Sequence, residues 1–349
     1  MTTWKKTVVC AAVSLLIAGI PASVSAVTTT ERVLYGAAAI LYVSRCVSQM
    51  DDKGQAQYLS ACQEETGVCD DEEYNSRVRL VYDTLRAPGD IKREYKVYVA
   101  PGTEINAFMS LGGVLCVNKG TLDAMDDDEL AYVMAHELAH GEKRHPAEGV
   151  KKQVGLTTAL DIYLADNPAL GAQILGGVCA NYVSNAVFTK DQEKEADAVG
   201  FTYLTAAGYN PGGAAAAMEV LLEKYGDNTP SGIKAVLSPG NHPPTSERVQ
   251  KNIERMYLYS GKKVNVKDGV ILVNGVSAFR AAAMGNYSAA ERSYLTAGKL
   301  ARLYHDGKMQ TAVCSGDGLF IGGEKIYTLS DGEDGNAAVA ALNQGISKG

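Results

Sequence analysis

The sequence predicts an α+β fold: a mainly helical part with a small β-sheet, followed by a smaller α+β segment. Three observations lead there. Apolar residues recur at helical spacing through most of the first 260 residues. Strand alternation in that stretch is confined to two short runs, "REYKVYVA" and "GGVLCVNKG". Past Ser260-Gly261 the composition changes to short apolar runs separated by glycine turns, so the chain divides into residues 27–260 and 261–349. At 349 residues and 46% hydrophobic, there is ample material for a core.

The first 26 residues stand apart. "MTTWKK" is basic, "TVVCAAVSLLIAGI" is apolar, and "PASVSA" ends in a small-x-small pattern, which together predict a signal peptide cleaved after Ala26. The expected product is exported, periplasmic or extracellular, with no integral membrane span. Its loss of Lys5 and Lys6 takes the net charge from −7 to −9, which offers nothing to nucleic acid. Six cysteines remain: Cys46, Cys62, Cys69, Cys116, Cys179 and Cys314. An even count in an exported chain predicts disulfides, with at least one local bridge among the first three.

The elements follow in order. Residues 31–50 read as an apolar helix, 51–70 as a polar connection, and "DEEYNSRVRLVYDTLRA" as a helix with acidic residues at its start. "REYKVYVA" sets Tyr95, Val97 and Val99 on one strand face, and 112–118 reads as a sheet edge open to an extended partner. "DDDELAYVMAHELAHGEKRH", residues 126–145, is the strongest helix, acidic where the macrodipole favours anions and basic at its end. Helices are expected near 168–187, 190–206 and 245–258, with a loop before the last. Beyond residue 260 come a hairpin turning at Asp268-Gly269, a helix near 288–305, two short strands and a helix near 335–345, with no repeat.

Three of the five histidines fall between residues 136 and 145. On a helix His136 and His140 share a face, so two imidazoles meet one metal ion without loop entropy. Glu137 lies beside that face, where a carboxylate acts as base on water and not as ligand. A third ligand is needed, and "TKDQEKEADAVG" offers it. Glu193 and Asp197 share a helix face, and Ala196 and Gly200 allow close packing. Spacing alone leaves Glu195 as a competitor to Glu193. His145 and His305 fall off the ligand face.

"HELAH", "EKEAD" some fifty residues on, "HPPTSER" and "NAFMSLGGVLCVNKG" together resemble the HtpX-like and CAAX-prenyl-endopeptidase superfamily of zinc metallopeptidases, of gluzincin type, over about residues 75–258. The resemblance implies a zincin-type domain, one zinc per chain, and Glu193 as third ligand with Asp197 supporting the site. It matches His242, Pro243 and Arg248 to an H-P-x-x-x-x-R pattern. His242 then either fills the open metal position and keeps the enzyme latent or is a plain loop residue. Arg248 either pairs with an acidic site residue or stabilises the oxyanion. The expected function is an exported zinc endopeptidase acting on protein or peptide substrates, with Glu137 as general base. The competing expectation is a chaperone-like envelope binding protein whose latent zinc site is gated by His242.

Overall fold

A computed structural model describes residues 29–163, 165, 168–185, 188–227 and 244–349. The leader, the cleavage site after Ala26, and His242 lie outside these residues. Three helices come first: α1 (Thr29–Lys53), α2 (Gln55–Thr66) and α3 (Glu72–Arg86). Strands β1 (Lys96–Ala100), β2 (Ala107–Ser110) and β3 (Val114–Asn118) follow. Next are α4 (Lys119–Ala124), α5 (Asp127–Glu142), α6 (His145–Gln153), α7 (Leu156–Tyr163), α8 (Pro168–Asn185), α9 (Lys190–Ala206), α10 (Gly213–Tyr225) and α11 (Thr245–Tyr259). The α+β class and its helical bias agree with the sequence. Helices α2, α4, α6, α7 and α10 are additions to it.

Helix α5 is the axis of the molecule. Asp126 accepts from the Glu129 backbone N–H, and the Glu129 carboxylate accepts in return from Asp126 N at 2.9 Å, a reciprocal cap that fixes where the helix starts. Every residue from Glu129 to Gly141 is buried, so α5 has no solvent face. Leu130, Met134 and Leu138 are fully covered, each worth about 1.5–3 kcal/mol of burial. Helix α9 lies against it. A Cβ on Gly200 would come within 3.0 Å of the His136 backbone, so only glycine lets the two helices approach this closely.

The sheet has the order β1-β3-β2, with β1 parallel and β2 antiparallel to β3. Leu115 and Val117 point into one apolar core and Val114 and Cys116 into another, so the sheet is a partition between two cores. The expected sheet edge at 112–118 is therefore corrected: β3 is central and paired on both sides. Gly112 and Gly113, both at positive φ, turn the chain sharply from β2 into β3. The edge beside α5 is β2, too short to read from "AFMS" alone.

All six described cysteines are free thiols, against the expected bridges. Cys46, Cys62, Cys116 and Cys179 belong to the second core but sit on four different elements, α1, α2, β3 and α8. Burial pushes the Cys116 and Cys179 thiols up to about 12, which makes them poor nucleophiles. Among the described residues no helix is long and apolar enough to cross a membrane.

The C-terminal segment is a duplication that the sequence hid. Strands β4 (Val264–Lys267), β5 (Val270–Val273) and β6 (Val276–Arg280) form a meander followed by α12 (Ala289–His305). Strands β7 (Ala312–Ser315), β8 (Gly318–Ile321) and β9 (Glu324–Thr328) form a second, followed by α13 (Gly335–Ile346). Each second-copy strand begins 48 residues after its counterpart: 264 and 312, 270 and 318, 276 and 324. The register shift also recurs at that interval, between Ile271 and Leu272 and between Leu319 and Phe320. Turns Asn274-Gly275 and Gly322-Gly323 have positive φ at both residues in both copies. The expected hairpin turn at Asp268-Gly269 is present, and each meander has one strand more than its expected pair. One apolar core runs from Val78 to Leu342, continuous across Ser260.

Candidate metal centre

The site is assembled where α5 meets α9. His136 and His140 turn their Nε2 atoms toward each other, 3.1 Å apart. Glu193 brings Oε2 to 3.5 Å from His136 Nε2 and Oε1 to 3.5 Å from His140 Nε2. All three side chains are at most 2% exposed. Bonds of about 2.0–2.1 Å at tetrahedral angles put neighbouring zinc ligands about 3.3 Å apart. The two imidazole nitrogens, and the carboxylate oxygen nearest each, already stand near that spacing, and one donor atom from each residue lies within 4.8 Å of the other two. They are also the one such group of His, Cys, Asp and Glu among the described residues.

The other nitrogen of each imidazole is held as well. His136 Nδ1 lies 3.0 Å from Asp197 Oδ1. Arg248 grips the same carboxylate, donating from Nε to Oδ2 at 3.0 Å and from Nη2 to Oδ1 at 2.6 Å. The Tyr132 hydroxyl donates to Asp197 Oδ1 at 3.0 Å, and Asn252 Nδ2 donates to Tyr132 at 3.0 Å. Arg248 is 3% exposed, with Nη2 3.9 Å from Glu193. Its charge is directed at Asp197, and the structure brings both to the back of His136.

His140 has a different partner. Its Nδ1 is 2.8 Å from His145 Nδ1, and His145 Nε2 is 3.3 Å from Glu195 Oε2. Phe188 stacks on the His140 ring at 3.9 Å and 19°. His145 does lie off the ligand face of a continuous helix, but the helix is not continuous. Arg144 adopts a left-handed conformation (φ 57°), held by ion pairs to Asp51 at 2.5 Å and Asp52 at 2.8 Å. That residue ends α5, and the chain reverses into α6 with His145 folded back on His140. Glu195 is half-exposed and ion-paired to Lys143 at 2.7 Å. Its other oxygen faces His145. His305 is remote, stacked on Tyr259 at 3.9 Å.

Electrostatics sort these groups. Burial drives the His140 pKa well below its ordinary value. Burial also opposes charge on His136, but the Asp197 and Glu193 carboxylates outweigh it and raise its pKa to about 9. Burial works to raise Asp197, yet Arg248 and His136 hold it well below the usual carboxylate range. Glu137 is 1% exposed and accepts a hydrogen bond from the Met109 backbone N–H on β2, while its Oε2 has no partner. Burial, helped by the charge of Glu193, pushes its pKa up to about 7. A carboxylate poised there takes and returns protons at neutral pH.

Comparison with known proteins places the chain in a family. The family described as Peptidase family M48 matches residues 70–255, more than half of the chain. A putative beta-barrel assembly-enhancing protease of Vibrio cholerae is 28% identical over 194 residues, 53% of this chain and 39% of that protein. Metalloprotease YcaL of Escherichia coli is 30% identical over 171 residues, 48% of this chain and 63% of that one. Mitochondrial metalloendopeptidase OMA1 of Schizosaccharomyces pombe is 29% identical over 185 residues, 51% of each chain. The matched part thus spans 39–63% of these relatives' own lengths.

Proposed function

This chain belongs to peptidase family M48; we propose that it is a metalloendopeptidase whose metal is a single zinc ion held by His136, His140 and Glu193. The observation that carries this is the convergence of three buried donors, one atom from each residue within 4.8 Å of the other two, with Glu137 next to them in the chain. Bound zinc supplies Lewis acidity toward the scissile carbonyl and makes water a better nucleophile near neutral pH. Glu137 accepts the proton of the attacking water and delivers it to the leaving amine. Asp197 fixes the His136 ring through Nδ1, and Arg248 neutralises Asp197. Arg248 is on this reading a positioning residue, because its geometry favours the pairing role over contact with an oxyanion.

The substrate class follows from β2. Its free edge runs beside α5, and the Met109 N–H meets Glu137. An extended polypeptide added to that edge is read through its backbone, so cleavage is loosely specific. That favours extended or misfolded protein segments. The leader predicts export, and the names of several relatives refer to β-barrel assembly, which together support quality control of envelope proteins. The test is metal analysis joined to casein cleavage on the exported chain. One zinc per molecule is expected. Glu137→Gln should keep zinc and lose about a hundredfold to ten-thousandfold in turnover. Wild-type turnover in that variant removes Glu137 from the mechanism.

A further inference from the structure

Each ligand imidazole has an outer partner on its Nδ1, and the two partners differ in kind. Asp197 behind His136 is a buried carboxylate paired to Arg248. The partner behind His140 is another histidine. With Nε2 of His140 turned toward Glu193, its Nδ1–H is left as donor, and His145 Nδ1 at 2.8 Å is the acceptor. His145 must then carry its own proton on Nε2, which points at Glu195 Oε2, 3.3 Å away. One arrangement of protons satisfies both contacts: His140 Nδ1–H donates to His145, and His145 Nε2–H donates to Glu195.

We infer that His145 and Glu195 are a positioning pair that fixes the tautomer and ring orientation of His140 for metal binding. The inference rests on the proposed ligand set. Three further observations support it. His145 is 4% exposed, so its ring polarity needs a purpose inside the protein. The left-handed Arg144, anchored by Asp51 and Asp52, is the backbone feature that turns His145 back toward His140. Phe188 covers the open face of the His140 ring, so orientation is controlled from both the face and the edge. Outer partners of metal-binding histidines set ligand basicity and direction, and losing one costs about 10–100-fold in metal affinity.

The test is a double-mutant cycle read by zinc affinity, measured on the full chain by competition with a chromophoric chelator, and by the visible spectrum of the cobalt(II)-substituted protein. His145→Ala should weaken zinc by about 10–100-fold and alter the cobalt bands. His145→Asn, whose amide oxygen can accept from His140, should recover part of the loss. Glu195→Ala, at a half-exposed position that folding tolerates, should weaken zinc by a smaller factor. In the His145→Ala background, Glu195→Ala should add nothing, since its effect passes through His145. Additive losses overturn the pairing, as does an unchanged affinity and spectrum in Glu195→Ala together with either His145 variant. If His145→Ala fails to fold, wild-type zinc affinity in both Glu195→Ala and His145→Asn also overturns it. A wild-type chain that takes up no zinc removes the ligand set and this inference together. A chain that binds zinc through Glu193 but is indifferent to His145 and Glu195 removes this inference alone.

Discussion

Replacing Arg248 by methionine separates its two possible roles. The guanidinium is 3% exposed and gives two hydrogen bonds to Asp197, at 3.0 and 2.6 Å. Methionine keeps much of the volume but leaves a buried carboxylate without its counter-ion. Breaking one side of a buried pair costs about 3–5 kcal/mol, a large share of the roughly 5–15 kcal/mol that holds a domain folded. Tyr132 and His136 still contact Asp197, which argues for the lower end of that range. Adding Asp197→Asn removes the stranded charge, so the double variant should be more stable than Arg248→Met alone. Urea unfolding of the wild type, Arg248→Met, Asp197→Asn and the double variant measures this, with zinc affinity and kcat taken on the same preparations. Arg248→Met should lose stability and zinc together. If it instead keeps wild-type stability and zinc affinity while kcat falls, Arg248 acts on the substrate and its positioning role is refuted.

Three other outcomes are expected. Glu193→Ala should abolish zinc retention while Glu195→Ala weakens it only several-fold, and equal losses would reject Glu193 as the third ligand. Glu129 is pushed by burial, and then by the charges of Asp126, Glu291 and Asp128, from 4.5 to about 9. The native state therefore keeps a proton that the unfolded chain releases, so stability present below pH about 4.5 drains away as pH rises toward about 9, by up to about 1.4 kcal/mol per unit. Glu129→Gln retains an acceptor for the Asp126 N–H and should flatten that slope between pH 5 and 9, whereas parallel urea-midpoint profiles for variant and wild type would contradict it. A chain cut after Ser260 loses the Asn210 Nδ2–Leu295 O bond at 2.9 Å and the half of the core built on Leu300, Leu319 and Leu342. It should fail to fold cooperatively, and a sharp unfolding transition from that fragment would show that residues 27–260 are independent.

What the sequence reveals and what it hides divide by range. His136, Glu137 and His140 are legible because one helix carries all three, and helical spacing is local. The resemblance favours Glu193 over Glu195, since spacing on α9 alone leaves both carboxylates open. The contact of Gly200 with the His136 backbone is what decides it in space. His145 lies off the ligand face of an unbroken helix, and its contact with His140 is not legible because it depends on the left-handed Arg144, which is ion-paired to Asp51, 93 residues earlier. Phe188 carries no motif, and only packing brings it to the His140 ring. The duplication is hidden because its copies share strand spacing and the geometry of their second turn more than residue identity. Asp268-Gly269 in one copy stands where Gly316-Asp317 stands in the other.

On the proposed ligand set, the two imidazole arms differ in what can reach them. The arm behind His136 is sealed: Asp197, Arg248, Tyr132 and Asn252 are all buried. Charge pairing there is little screened by salt, and the desolvation that makes it costly to break also makes it rigid. The arm behind His140 runs from buried His145 to Glu195, which is 45% exposed and shared with Lys143, itself 42% exposed. An exposed pair of that kind contributes little and weakens with ionic strength. Any stiffness on the His140 side must therefore come from inside, from the Phe188 stack and the reversed turn at Arg144, with Glu195 choosing the tautomer and contributing little to the strength. His136 is thus held by buried charge pairing, and His140 by ring stacking and a contact to a second histidine. Asp197 on α9 and Arg248 on α11 tie both helices to the back of His136 on α5, so loss of either should disturb the packing of all three.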